Sequence, residues 1–305
     1  MGDAARGFIG QDVFTAALCR ARLSKRERLA VEYLGNFGQS FHFRGCGPKL
    51  AGMTAIFDTL APLSRRMGRA ALDLLFPPLC MMCRKPVGEP GALCPDCWKN
   101  VSFIDGPACT SCGLPFEFDA GADTRCATCL ANPPAFDRAC SVMRYDEFSK
   151  GPILALKRAD RHDVVPAFAR WLERAGRDLI TDADVIVPVP LHPVRLWTRR
   201  FNQSALLAQA LARRARKAYE PLALKRTRST PSQGEMPSAK ARRKNVRGAF
   251  RVEANRAAAV KARKVLLIDD VLTTGATVDA CARALKRAGA SKVAVLTLAR
   301  VARPL

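Results

Sequence analysis

The chain has 305 residues, enough for one large or two modest domains, and 49% of them are hydrophobic, ample for a core. Its 50 Lys and Arg against 27 Asp and Glu leave a formal charge of +23, which suits a polyanionic partner such as nucleic acid or a phosphorylated small molecule, unless the whole surface is simply basic. No apolar run approaches the ~20 residues needed to cross a bilayer, and the amino terminus lacks the basic start and cleavage site of a signal peptide, so a cytoplasmic protein is expected.

In chain order, residues 1–52 carry Gly-rich interruptions and little periodicity; they predict a leader with at most a weak helix near Phe14 to Gly35 and otherwise disorder. Translation could begin instead at Met53 or Met67. Residues 53–77 predict a helix on Ile56, Leu60, Leu63, Met67, Ala71, Leu74 and Leu75, closed by Pro77-Pro78. A cysteine-rich module occupies 78–135, and residues 139–305 alternate strands with helices. CSVMRYD, VIVPVP, LALKR, KVLLIDD and KVAVLTLARV read as strands. FSKGPILALKRADRHD, VVPAFARWLERAGRDL, QSALLAQALARRARKAY and TVDACARALKRAGA read as helices. Helices of this length between strands predict an α/β fold with a mostly parallel sheet covered on both faces.

Eight of the 12 cysteines form four Cys-x-x-Cys pairs: Cys80/Cys83, Cys94/Cys97, Cys109/Cys112 and Cys126/Cys129. Such a turn sets two thiolates on one side of a knuckle, and two knuckles complete a tetrahedral sulfur site for zinc. Ten residues separate the first two pairs and thirteen the last two, so two tandem four-cysteine sites are expected. With four protein ligands each, such zinc ions are structural. A disulfide framework or redox pair is the alternative, and it sits poorly with a chain lacking an export signal. Cys19, Cys46, Cys140 and Cys281 stand singly and are expected to be buried thiols.

The stretch VLLIDDVLTTGAT carries the chemistry. Val265 to Ile268 reads as a central parallel strand, and ligands of such sheets bind beyond the strands' carboxyl ends, where Asp269 and Asp270 stand. Thr273-Thr274-Gly275-Ala276-Thr277 then forms a small-residue turn into a helix, a cradle of backbone N–H groups and hydroxyls for a phosphate. Adjacent carboxylates can accept from vicinal sugar hydroxyls or help hold magnesium through water. Together these read as a sugar-phosphate site. A nucleotide-binding Walker B strand would need a G-x-x-x-x-G-K-[ST] loop, which is missing, and the 35 residues after Asp270 are too few for a receiver domain.

This stretch resembles the phosphoribosyl-pyrophosphate (PRPP) signature of type I phosphoribosyltransferases. PVPLHPVRLWTRRFNQSALLAQALA and TPSQGEMPSAKARRKNVRGAF resemble segments of the ComF family, whose members join a double zinc ribbon to such a domain; the resemblance covers about 70–303. It implies that Asp269 and Asp270 bind the ribose hydroxyls, and that Thr273, Thr274, Gly275, Ala276 and Thr277 hold the 5-phosphate. It also implies that Arg195, Arg199 and Arg200 line a pyrophosphate loop, with Arg199 and the two acids as the catalytic set. The family pattern Arg-Gly-Phe-Asn-Gln is here Arg-Arg-Phe-Asn-Gln, so Arg200 stands where a glycine is usual. Lys157 resembles a family Leu-Lys position and could face the phosphates or lie on a helix surface. His192, at a strand end, could join the loop or be structural. Trp197 and Phe201 could stack a base, though aromatics at a helix start usually pack inward.

Residues 195–263 hold 19 Lys and Arg against three acids, and the polar loop from Lys225 to Phe250 is either a mobile flap over the reacting centre or a solvated basic loop. Two functions follow. One is an enzyme that transfers phosphoribose from PRPP, with magnesium, to a nitrogen acceptor. The other is a non-catalytic, PRPP-regulated scaffold that binds single-stranded DNA among the proteins of competence and DNA uptake. No motif reads a specific acceptor base.

Overall fold

In the computed structural model the described residues are 76–121, 123–157, 161–228 and 239–302. They belong to one compact unit spanning Arg69–Leu305. The expected leader over 1–52 and nearly all of the helix expected over 53–77 lie outside the described residues.

The cysteine module holds two single-turn helices, α1 (Pro95–Lys99) and α2 (Ala127–Ala131). There follow β1 (Arg138–Arg144), α3 (Glu147–Lys157), α4 (Val165–Ala175), α5 (Arg177–Asp182) and β2 (Val185–Pro188). The helix expected over VVPAFARWLERAGRDL is split at Gly176, which caps the first part out of helical conformation (φ −98°, ψ 17°); a Cβ there would come within 2.4 Å of the Leu296 side chain, so the position suits glycine. Next are α6 (Pro193–Arg199), α7 (Gln203–Ala215) and the two-residue β3 (Ala218–Tyr219), which ends the long helix earlier than its periodicity suggests. Arg216 closes α7 in the left-handed conformation.

LALKR supplies β4 (Leu224–Arg226), which stands outside the main sheet as an antiparallel partner of β5 (Phe250–Val252). Between them, α8 (Ala239–Val246) occupies part of the polar loop. The chain ends with β6 (Lys264–Leu272), α9 (Ala276–Arg287) and β7 (Lys292–Arg300).

The main sheet is parallel throughout, in the order β1-β7-β6-β2-β3. Alternation along β6 splits its apolar residues between two cores. Val265 and Leu267 pack with Val278, Cys281 and Leu285 of α9, whereas Leu266 and Ile268 pack with Phe168 and Leu172 of α4 and Leu207 and Leu211 of α7. Two-sided burial explains why this strand reads as an unbroken apolar run. Residues of the cysteine module run along β1: Phe103 bridges Met143 antiparallel, Ile104 N–H donates to Val142 O (3.0 Å), and Arg144 N–H donates to Ser102 O (2.8 Å).

Candidate functional site

β6 carries Asp269 and Asp270 at the carboxyl end of the sheet, one residue past fully buried Ile268. Asp269 Oδ1 accepts from the Ser204 hydroxyl (2.9 Å) and from its neighbour's N–H (2.9 Å). Ser204 lies in the first turn of α7, which the Asn202 side chain caps. Asp270 Oδ2 pairs with Lys157 Nζ at 3.1 Å, and both side chains are largely enclosed. Lys157, at the end of α3, therefore faces the acids rather than open solvent. Burial, and then the Asp270 charge, push the Asp269 carboxyl up to about 7.

The turn that follows enters α9 through Gly275 in the left-handed conformation (φ 77°). Thr273, Gly275 and Thr277 are partly exposed, and Ala276 is buried at the first helical position. The Thr274 hydroxyl is buried and has no hydrogen-bond partner among the described residues. A buried unpaired hydroxyl costs on the order of 1–3 kcal/mol, a cost an anion seated in the turn would offset. Free N–H groups at the start of a three-turn helix add to that preference for an anion.

After β2 the chain makes α6, where the His192 ring caps the helix by accepting from Val194 N–H (3.3 Å). Arg195 and Arg199 are partly buried and Arg200 is exposed. Arg200 takes the left-handed conformation (φ 62°, ψ −16°), so the backbone form expected of a glycine survives without one. No contact of Arg199, Arg200 or His192 with the acids is seen among the described residues. Trp197 does not pack inward: it is 86% exposed. Phe201 rests edge-on against His162, centroids 4.6 Å apart.

Arg226 is the residue that sequence reasoning missed. It is 5% exposed, stacks over Phe250 at 5.4 Å, and feels the charges of both Arg195 and Asp269. Burial, then Arg195, pull its guanidinium below its ordinary value. Two arginine charges close enough to repel each other would be relieved by a bound anion. The available signal was alternation: Leu224 and Arg226 lie on the buried face of β4 with Lys225 outward.

The cysteines form two separate clusters, Cys80/Cys83/Cys94/Cys97 and Cys109/Cys112/Cys126/Cys129, each with all sulfurs within 4.8 Å of one another. Sulfur separations of 3.5 Å (Cys83–Cys94) and 3.7 Å (Cys112–Cys126) suit a tetrahedral ion with metal–sulfur bonds of about 2.3 Å, whose ligands sit about 3.8 Å apart. Backbone N–H groups of Cys94 and Cys126 point at Cys80 and Cys109 sulfur, as suits thiolates. The two sites are one design used twice. In each, the residue after the first pair is left-handed (Arg84, Gly113), a bridge closes the knuckle (Leu79–Pro86, Ala108–Pro115), and the third cysteine caps a short helix. They differ in setting: the second site is wholly buried, whereas Cys83 of the first is exposed. Burial pushes the Cys112 thiol up, and the Arg300 guanidinium pulls the other way. Of the single cysteines, Cys281 is buried, and Cys140 is partly exposed and donates to Ala175 O (3.3 Å).

Comparison with known proteins agrees with this division. Residues 71–130 match the family described as double zinc ribbon domain, and residues 202–304 match the phosphoribosyl transferase domain. DNA utilization protein YhgH of Escherichia coli (strain K12) is 36% identical over 237 residues, 74% of this chain and 99% of that protein. Competence protein F of Haemophilus influenzae is 31% identical over 227 residues, 72% of this chain and 96% of that protein. Among solved structures, glutamine phosphoribosylpyrophosphate amidotransferase from B. subtilis is 23% identical with a TM-score of 0.31, covering 51% of this chain and 34% of that one. Orotate phosphoribosyltransferase from Aeropyrum pernix is 18% identical with a TM-score of 0.27, covering 51% of this chain and 66% of that one.

Proposed function

The chain belongs to the ComF family of competence and DNA utilization proteins, and from that premise we propose that its phosphoribosyl transferase domain binds PRPP with magnesium and transfers phosphoribose to a nitrogen acceptor. The carrying observation is the Thr274 hydroxyl, buried without a partner in the turn that starts α9. It is the group a 5-phosphate would satisfy. Thr273, Gly275, Ala276 and Thr277 complete the cradle through hydroxyls and backbone N–H groups.

Bonds from the described residues engage Asp269 Oδ1 and Asp270 Oδ2. The second oxygen of each carboxylate is left to accept from ribose hydroxyls. Two neighbouring acids are too few to cage a hard cation alone, yet they suit magnesium brought with its polyphosphate and held partly through water. When bound, that ion supplies neutralisation of the departing pyrophosphate. Arg195 and Arg226, which feel each other's charge, would stabilise that leaving anion, with Arg199 and Arg200 at the end of α6 and Lys157 steadying Asp270. His192 holds α6 in place by its cap. Water exclusion, which this chemistry requires, would fall to the stretch between β4 and β5, part of which lies outside the described residues.

Calorimetry on zinc-loaded chain tests this reading. PRPP with magnesium is expected to bind the native chain, and Thr274→Val to weaken binding about tenfold while leaving stability equal or higher, since an unpaired buried hydroxyl is lost. No heat with PRPP in folded protein would sink it. Pyrophosphate release in a screen of bases and ammonia would then identify the acceptor.

A second reading is favoured by the exposed Trp197 among Arg195, Arg199 and Arg200: binding of single-stranded DNA by stacking and phosphate contacts, with the transferase fold as a PRPP-responsive scaffold. Affinity for a fluorescent oligonucleotide should fall steeply with salt and drop again in Trp197→Ala. A flat salt response would remove electrostatics as its basis.

A further inference from the structure

We propose that Arg300, the last residue of β7, is a positioning residue for the second zinc centre and ties that centre to the turn that starts α9. This rests on the four-cysteine site and not on any ligand of the transferase domain.

Arg300 is 8% exposed, a depth at which a guanidinium needs a counter-anion. No carboxylate of the described residues forms an ion pair with it. Among the described residues its one side-chain hydrogen bond runs from Nη2 to Cys112 Sγ at 3.2 Å, across 188 residues of sequence, and its buried Nε has no partner there. Four thiolates around a divalent zinc carry a net charge of −2, so the cluster is the anion that the guanidinium offsets, and the guanidinium is the outer-shell donor that holds the Cys112 sulfur. The first site receives no such donor from the sheet among the described residues.

The backbone of the same residue reaches the other site. Arg300 lies opposite Leu272 in the β6–β7 pairing, Val301 N–H donates to Leu272 O (3.0 Å), and Leu272 immediately precedes Thr273. Arg300 O accepts from Tyr145 N–H (2.7 Å), and the knuckle is fixed to β1 by Ala139 N–H donating to Ser111 O (2.8 Å). A change in the Cys112 sulfur therefore acts on a side chain whose own main chain frames the turn.

The test uses the full zinc-loaded chain. Zinc release to a chromogenic chelator is expected in two phases, one per site. Arg300→Met should accelerate only one of them, by about 10–100-fold, the scale of losses from outer-shell partners, and Arg300→Lys should restore part of that loss. The sulfur-to-metal absorption of the cobalt-substituted chain should shift in Arg300→Met and less in Arg300→Lys. In the unsubstituted chain, amide exchange at residues 273–277 should quicken when the buried zinc leaves and not when the exposed one does; this arm stands even where Arg300→Met fails to fold. Wild-type release of both ions from folded Arg300→Met would overturn the positioning role. Exchange at the turn that is indifferent to the second zinc would overturn the link. Failure of PRPP to bind would change neither readout.

Discussion

Asp269 is, at the scale of one residue, a buried acid held against its ordinary ionisation. Its carboxyl is held up to about 7 by burial and by Asp270, against about 3.9 in an unfolded chain. Between those values the folded chain keeps a proton that the unfolded chain has lost. The contribution of this group is therefore greatest below pH 4 and is lost as pH rises through about 7. Asp269→Asn keeps an oxygen to accept from Ser204 and removes the charge, so it should raise the melting temperature at pH 8 and raise it distinctly less at pH 5, and on the proposed reading it should weaken PRPP binding. Calorimetric melts at the two pH values check this, and an unchanged difference between them would refute it. The neighbouring acids, the threonine turn and the eight cysteines are legible because each is a local string. Ser204, Arg226 and Arg300 are not: Ser204 meets Asp269 across 65 residues and Arg300 meets Cys112 across 188, and no short pattern announces such partners.

Among elements, the two knuckles offer an internal control. Arg84 and Gly113 occupy equivalent left-handed positions, but only at Gly113 would a Cβ collide with main chain, 2.6 Å from Ala139 O. Gly113→Ala should therefore cost more than the about 1 kcal/mol of left-handed strain alone and loosen the knuckle from β1, whereas Arg84→Gly should be tolerated. Denaturant melts of the two variants decide it. Strand and helix order along 139–305 is readable from periodicity. The exceptions have steric or tertiary causes. Gly176, packed against Leu296, interrupts a continuous apolar helix pattern, and β4 pairs outside the main sheet with β5, a partner that lies beyond the basic loop in sequence. α6 is equally hidden: its seven residues bury none of their own side chains, so no apolar stripe marks it.

The molecule as a whole welds its zinc-bearing part to the transferase part instead of linking them loosely. The second cysteine cluster shares one apolar core with α9 and the inner strands, and Met81 and Val101 of the module join the opposite core. Ala135 N–H also donates to Asp279 of α9. The division into modules is visible from cysteine spacing; their fusion is not, because it depends on which surface each presents after folding.

One consequence concerns the rims of the sheet. On one flank β3 is only two residues long, and on the other the stretch from Ser102 to Ile104 occupies the rim of β1. Neither flank offers a foreign strand a long unpaired ladder, the usual starting point for aggregation. Cutting away residues 78–135 to isolate the phosphoribosyl transferase domain should uncover the β1 rim, and light scattering should then find sticky, self-associating material where the intact chain stays dispersed. A monodisperse truncated form would refute this. On that expectation the cysteine module acts as a built-in guard, and expression trials that trim the chain at its apparent domain boundary should yield clumping protein.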